Sequence, residues 1–209
     1  MKSDINDPAL SLDVVLEHVT GANGRQIAFG FEMANVYNNL TNVVMTVHAK
    51  KGGARKGALL INAHYDSTLG SPGASDCASC VGVAVEVVRA LLSSGEFREG
   101  DSLTLLLNGG EETLMQAAHG FMRGSKYAKD VTSFINIEST GPWGPDMLFQ
   151  YGGWTLDAYA SSAPRPRGNS VAMDFFELGV IPADTDFRVL RKEEGEGGVP
   201  GIDVGRYHS

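Results

Sequence analysis

Several apolar runs in this chain are followed, directly or within a few residues, by side chains that can bind metals or transfer protons. They are His64 after ALLINA, Glu111 and Glu112 after LTLLLNGG, Glu138 after FINI, and His208 after GIDV. Ligands of open α/β sheets bind beyond the carboxyl ends of the strands, so we expect these side chains to gather at one edge of a sheet. Imidazole and carboxylate groups are the ligands of hydrolytic zinc centres.

Two further aspartates lie close to the first histidine in the sequence. Asp66 follows His64 by two positions, which places both side chains on one face of an extended segment, and a carboxylate there can hold the second ring nitrogen of a ligand histidine. Asp76 lies in a loop of Gly, Pro and Ser just before a predicted helix. Taken singly, the His64–Asp66 pair is also typical of a surface pair, and Asp76 of a turn or helix cap.

The adjacent pair Glu111–Glu112 favours two different roles, because neighbouring side chains point apart. One carboxylate can bind a metal while the other faces the attacking water as a general base. Glu138 follows an apolar run in which an unpaired carboxylate would be costly to bury. Three carboxylates and two imidazoles suit two zinc ions bridged by one carboxylate and one hydroxide, since the charges of the ions and the anions balance. The remaining histidines, His18, His48 and His119, are interpreted as structural or exposed.

Composition limits the other classes of function. The 209 residues suit one domain, and the net charge of -8 argues against a nucleic-acid partner. The longest apolar stretches, such as VGVAVEVV and LTLLL, are shorter than the about 18 residues of a membrane span, and no hydrophobic segment follows Lys2. The sequence therefore predicts a soluble chain without a signal peptide. The basic KKGGARK at 50–56 is interpreted as a loop. Cys77 and Cys80 have no second pair for a zinc ribbon, which leaves packing, a local disulfide or redox chemistry.

The elements that must position these residues follow from hydrophobic patterning. SLDVVLEHV, QIAFGFEMANVY and VVMTVHAK are predicted as strands, with NNLTN, which includes the sequon Asn39-Leu40-Thr41, between the last two. GALLINA, SLTLLLN, SFINIES and MLFQY are further strands; CVGVAVEVVRALLSS, a stretch across roughly 112–130 and the short DAYASSA are helices. Strands apolar on both faces and separated by helices indicate an α/β fold, with a mixed, mainly parallel sheet covered on both sides.

The motifs AHYDS, GSPGASD, NGGEE, INIES, DTDFR, PGID and YHS together resemble the co-catalytic zinc aminopeptidases of peptidase family M28, and most closely their endoplasmic reticulum metallopeptidase branch. The resemblance runs from about residue 40 to the end. It implies a single metallopeptidase domain over 1–209, with N-terminal strands and a loop over 1–40. The catalytic core at 41–209 would lack the closing helix of the family.

The resemblance also implies the role of each site residue. It makes Glu111 the general base, Asp66 the partner of His64, and Asp186 of DTDFR a substrate-pocket residue. It implies two zinc ions per chain, held by His64, Asp76 as the bridging ligand, Glu112, Glu138 and His208. The reaction implied is hydrolysis of the N-terminal peptide bond of a peptide with a free amine, in the lumen of the endoplasmic reticulum. Membrane attachment would come only through segments absent from this chain.

Two departures from the family pattern leave alternatives open. Cys77 follows the bridging aspartate where the family often has an acidic residue or Asn, and only Val204, Gly205 and Arg206 separate PGID from YHS. An inactive domain that binds rather than cleaves is therefore one alternative. A glutaminyl cyclase with one zinc is another, although that family usually has DDH where this chain has DTDF. A CxxC redox protein is the third.

Overall fold

The computed structural model describes residues 9–27, 31–49, 57–97, 100–139, 141–178, 184–191 and 198–206. The strands are β1 (Leu10–Ile27), β2 (Phe31–Ala49), β3 (Ala58–His64), β4 (Ser102–Asn108), β5 (Val131–Ser139), β6 (Asp146–Tyr151) and β7 (Gly201–Arg206). The helices are α1 (Cys80–Ser94), α2 (Gln116–Gly124), α3 (Thr155–Ser162), α4 (Ser170–Glu177) and α5 (Asp186–Leu190). The predicted loop at 50–56 and His208 lie outside the described residues.

The described strands form one seven-stranded sheet in the order β1-β2-β4-β3-β5-β7-β6. Strands β4, β3, β5 and β7 are parallel neighbours, while β1, β2 and β6 pair antiparallel. Both ends of the sheet are therefore antiparallel and its centre is parallel. This confirms the predicted α/β class with a mixed, mainly parallel central sheet.

Helices cover both faces of the sheet, each over its own apolar core. On one face Ala84, Val88 and Leu92 of α1 pack against residues of β3 and β4 such as Ile61 and Leu105. On the other face Phe121 of α2 and the residues of α5 pack on Leu60, Leu106 and Phe134. Complete burial of a Leu or Phe side chain stabilises a fold by about 1.5–3 kcal/mol. These layers hold the carboxyl ends of β3, β4 and β5 rigidly beside one another.

The predicted N-terminal strands are wrong in their boundaries. NNLTN does not interrupt a strand: β2 runs through it, and the register shifts between Val19 and Gly21 of the facing strand. Asn39 adopts a left-handed φ of 55°, so the extra residues form a β-bulge rather than a loop. The asparagines, which favour turns, are thus accommodated by a bulge within the antiparallel pairing of β1 and β2 and do not end the strand.

The predicted helix across 112–130 is also too long. Leu114 and Met115 have positive φ values of 80° and 54°, which no helix accepts, and α2 begins only at Gln116. A single 3-10 turn, Tyr127–Asp130, follows α2. The short helices α4 and α5 were not predicted, because neither spans enough residues to show a clear period.

The expectation that no segment could span a membrane is wrong on composition. The segment Ala74–Ser94, which covers 21 residues and is kinked at Asp76 and Cys77, contains an 18-residue window with a mean hydropathy of 1.6 and qualifies as a candidate span by length and apolarity. In the structure one side of α1, including Ala84 and Val88, packs on the sheet, while Val83 and Val87 are exposed. Solubility of the chain therefore stays a prediction.

Candidate functional site

Three of the predicted ligands meet at the carboxyl edge of the parallel strands. His64 is the last residue of β3, Glu138 lies next to the end of β5, and Asp76 lies in the tight turn before α1. His64 Nε2 lies 3.0 Å from Asp76 Oδ1 and 3.6 Å from Glu138 Oε2. Donor atoms of these residues all lie within 4.8 Å of one another, which is close enough to share one metal ion.

The turn that carries Asp76 depends on a glycine. Gly73 has φ +64°, and a Cβ added there would lie 2.7 Å from Cβ of Ser67, so any larger residue would be strained and would clash. The turn then leaves helical geometry at Asp76, with φ -115° and ψ 94°, before α1 begins at Cys80. This break turns the aspartate away from the helix and toward His64.

The two cysteines form a disulfide just behind this turn. Cys77 and Cys80 are bridged and both buried. This agrees with the local disulfide among the predicted alternatives. Cys77 Sγ lies in the same cluster of donor atoms, but a bridged sulfur is no thiolate and is therefore a poor zinc ligand. The ligands that remain in the cluster are His64, Asp76 and Glu138.

Asp66 connects the histidine to the glutamate pair. Its main-chain oxygen lies 3.0 Å from His64 Nδ1, and its carboxylate Oδ1 lies 3.4 Å from the same nitrogen. The carboxylate also accepts the main-chain N–H groups of Glu111 at 3.1 Å and of Glu112 at 3.3 Å. The sequence predicted the contact with His64 but not the two amides. Asp66 thus fixes the loop that presents Glu111.

The two glutamates have different surroundings. The Glu112 carboxylate accepts hydrogen bonds from the main-chain N–H and the hydroxyl of Thr68, at 2.9 and 2.8 Å, and it lies outside the metal-competent cluster. Glu111 is buried, and burial together with the charges of Asp186 and Glu138 raises its pKa to about 10. Glu111 therefore readily holds a proton, while Glu112 is the one of the pair that bonds to a neighbouring loop.

The electrostatics of the cluster suit a cation. Burial opposes a charge on His64, but hydrogen bonds with Asp66, Asp76 and Glu138 outweigh it and raise the pKa of the imidazole. Burial would raise the pKa of Asp66, but its hydrogen bonds with His64 and with the amide of Glu111 lower it. Oxygen and nitrogen donors crowded at one buried point repel each other unless a positive charge lies among them. The donor set therefore fits a divalent ion such as zinc.

The other predicted residues lie apart from this cluster. His18, His48 and His119 each bond through Nδ1 to a hydroxyl, those of Thr41, Ser102 and Tyr37 respectively, at 3.1, 2.7 and 2.6 Å. Asp186 is completely buried, and burial together with the charge of Glu138 raises its pKa to about 7. Its carboxylate accepts from Asn62 and Asn108 at 2.9 and 2.8 Å. A role for Asp186 in a substrate pocket stays a prediction.

A buried polar network behind the ligands was missed by the sequence reasoning. Asn62, Asn108 and Asn136 each follow apolar residues in a central strand and are completely buried. They connect to the buried carboxylates of Asp186, Asp203 and Glu138. The signal that could have revealed the network is the lone Asn in each of the runs LLINAH, LLLNGG and FINIES.

Comparison with known proteins identifies the family of the chain. The model of peptidase family M28 matches residues 42–209. Endoplasmic reticulum metallopeptidase 1 of Mus musculus is 38% identical over 197 residues, which cover 93% of this chain and 21% of that protein. The chain therefore spans about a fifth of the length of this relative.

Solved structures extend the likeness of fold at low identity. The LapA aminopeptidase of Legionella pneumophila superposes with a TM-score of 0.63 at 14% identity, covering 98% of this chain and 49% of that one. The zinc aminopeptidase BSAP of Bacillus subtilis gives 0.59 at 17% identity, over 84% and 42%. A glutaminyl cyclase of Porphyromonas gingivalis gives 0.53 at 14% identity, over 99% and 73%, so the fold alone does not separate the two activities. On the family match and the identity to its relatives, the chain belongs to peptidase family M28.

Proposed function

We propose that this chain is the catalytic domain of a zinc-dependent aminopeptidase. The observation that carries the proposal is the convergence of His64, Asp76 and Glu138, beside the buried carboxyl of Glu111, whose pKa is raised by burial and by the charges of Asp186 and Glu138. Three protein ligands with nitrogen and oxygen donors are typical of catalytic rather than structural zinc sites. The family of the chain supports the same chemistry.

His64, Asp76 and Glu138 would hold one zinc ion. When bound, zinc polarises the carbonyl of the scissile peptide bond and lowers the pKa of water at the site. Glu112 and His208 would contribute to a second zinc ion, for which Asp76 would be the shared ligand. For this the Glu112 carboxylate would have to release or share its hydrogen bonds with Thr68.

Glu111 would move the proton. Its deprotonated carboxylate would take a proton from the attacking water, and the resulting carboxylic acid would pass that proton to the leaving amine, which requires a pKa near the working pH. Burial raises the pKa of Glu111, and a nearby cation would lower it again, so the two effects oppose each other. Asp66 holds the main-chain N–H of Glu111 and would keep the carboxyl in place.

The substrate would be a peptide with a free N-terminus. A protonated amine is attracted to a site that combines several carboxylates, and this attraction favours an exopeptidase over an endopeptidase. We propose that the domain lies in the endoplasmic reticulum, which is supported by the name of its Mus musculus relative, endoplasmic reticulum metallopeptidase 1. A position in the lumen, within a longer membrane protein, stays a prediction from the family resemblance. The absence of a nucleic-acid partner stays a prediction from the acidic composition.

Exchange of Glu111 for glutamine tests the proposal. In the zinc-loaded chain, Glu111→Gln should lower kcat for an aminoacyl-anilide by roughly 10²–10⁴-fold, because a positioned general base contributes about that much. Its zinc content, measured by elemental analysis, should not change. The matched control is Glu96→Gln, an exposed residue beyond α1, which should leave both quantities as they are. Undiminished turnover in Glu111→Gln would refute the assignment of the base.

Glutaminyl cyclisation is the second candidate, because the described residues form a single three-ligand cluster rather than two. The same zinc-loaded chain is therefore to be assayed on a peptide with N-terminal glutamine. Release of ammonia without cleavage of aminoacyl-anilides would favour the cyclase. A chain that binds no zinc and turns over neither substrate would instead support a binding domain.

A further inference from the structure

The metal ligand Glu138 is held from behind by a buried amide. Asn136 precedes it by two positions on β5, so both side chains lie on the same face of the strand. Asn136 Nδ2 donates to Glu138 Oε1 at 3.3 Å and to Asp203 Oδ1 at 3.1 Å. Asn136 Oδ1 accepts from Asn62 Nδ2 at 2.7 Å. Each hydrogen-bonding atom of the Asn136 side chain therefore has a partner.

This pattern fixes the orientation of the Asn136 amide. In the flipped orientation its oxygen would face the carboxylates of Glu138 and Asp203, and its nitrogen would face the donating nitrogen of Asn62. Both arrangements are repulsive, and buried polar groups without partners are costly. The donor is thus directed at Glu138 by the network and not by the side chain's own preference.

Asp203 is the anchor of the network. It lies directly opposite Asn136 in the register of β5 and β7 and is completely buried. Its Oδ2 accepts from Thr185 Oγ1 at 2.6 Å and from Gln150 Nε2 at 3.0 Å, which leaves Oδ1 for Asn136. A buried carboxylate with three donors is held rigidly, and it polarises the amide that it binds.

From this geometry we infer that Asn136 and Asp203 are positioning residues: Asp203 holds the amide of Asn136, and Asn136 engages Oε1 of Glu138 and leaves Oε2 free for the metal. Oε2 is the oxygen that lies 3.6 Å from His64 Nε2, within the cluster. Glu138 would then bind through one oxygen in a fixed direction. The inference rests on the proposed function, because it concerns the same zinc site.

The test replaces the amide by an apolar side chain of similar shape. Asn136→Leu should weaken zinc binding about 10–100-fold, the usual effect of losing a partner that orients a ligand. Asn42→Leu is the matched control, since Asn42 is also completely buried in a strand but donates to the carbonyl of Ala117, away from the cluster. It should lower stability without changing zinc affinity. Zinc affinity is measured by competition with a chromogenic chelator, and stability by urea unfolding.

A second variant guards against misfolding of the first. Asp203→Asn keeps the shape of the side chain and should shift the visible spectrum of the Co²⁺-loaded chain as well as weaken zinc binding. Combining it with Asn136→Leu should add little, because both act through one contact. Zinc affinity equal to that of the unmodified chain in both single variants would overturn this inference and leave the proposed function standing. Failure of the unmodified chain to bind zinc would overturn both.

Discussion

The ribbon of β1 and β2 and the parallel centre of the sheet are built in opposite ways. The ribbon strands have 18 and 19 residues, pair antiparallel, and expose large apolar side chains such as Leu16 at 65% and Val36 at 77%. The central strands β3 and β4 have seven residues each and bury almost every side chain, asparagines included. A substitution at such an exposed position of the ribbon therefore changes a side chain that is partly in solvent, whereas a substitution in the centre changes a buried one.

The central strands carry buried polar residues beside the candidate site that lower the stability of the fold. A buried Asn or Asp in a central strand is more costly than a Leu, even with its partners present. Asn62, Asn136 and Asp203 occupy such positions, and they form one hydrogen-bonded network that reaches the candidate ligand Glu138 through Asn136. Polar residues in the buried strands thus mark the edge of the sheet where the candidate site lies, whereas polar residues in the ribbon lie at a bulge.

The largest predicted difference between the centre and the ribbon is in the free energy of unfolding that is lost when an apolar side chain is truncated to alanine. Phe134→Ala, in the middle of β5 and completely buried, should lower the free energy of unfolding by about 3–5 kcal/mol. Leu16→Ala on the exposed face of the ribbon should change it by no more than about 0.5 kcal/mol. Urea unfolding of both variants measures the two values. Equal losses would mean that the ribbon contributes to the core as much as the centre does.

A smaller effect should separate two histidines by the sign of their pH dependence. Burial, with the charge of Arg123 beside it, lowers the pKa of His119, whose ring lies against Tyr37 of the ribbon, whereas the pKa of His64 is raised. The unfolded chain therefore binds more protons at position 119 than the folded chain. The stability that neutral His119 provides is present above its unfolded pKa of about 6.5 and is lost as pH falls below it. His64 acts in the opposite direction, losing its contribution as pH rises.

His119→Gln tests this sign in the metal-free chain. Between about pH 7.5 and 5.5 the free energy of unfolding of the variant should fall less steeply with acid than that of the unmodified chain. Urea unfolding at several pH values measures the difference. A steeper fall in the variant would show that His119 gains protons on folding.

The sequence predicted the centre of the sheet better than its margins. β3, β4 and α1 were predicted within one residue, because short apolar runs bounded by polar residues and Gly95 fix their ends. The bulge at Asn39 and the late start of α2 were missed, because each depends on backbone angles imposed by tertiary pairing. The turn-forming residues of NNLTN predicted a loop, but hydrogen bonds with β1 on both sides of NNLTN keep the strand continuous and leave only a bulge.

The residues of the candidate site also divide into those that strand ends predicted and those whose contacts depend on tertiary structure. The rule that ligands bind beyond the carboxyl ends of the strands predicted that His64 and Glu138 would converge from distant positions, and the structure brings donor atoms of both within 4.8 Å of each other. Their roles as metal ligands stay predictions. The sequence did not predict the contact of Thr68 with Glu112 or that of Asn136 with Asp203. Both contacts depend on how segments far apart in the chain are aligned with each other. His208 lies outside the described residues, so its role as a ligand stays a prediction.

The most direct test of the account is a crystal of the zinc-soaked chain measured at the zinc absorption edge. The account predicts an anomalous peak that marks a zinc ion bonded to Nε2 of His64 and to carboxylate oxygens of Asp76 and Glu138. The sulfur of Cys77 should not contact the ion. No peak at this position, or a zinc ion held by other residues while these three remain paired with one another, would contradict it.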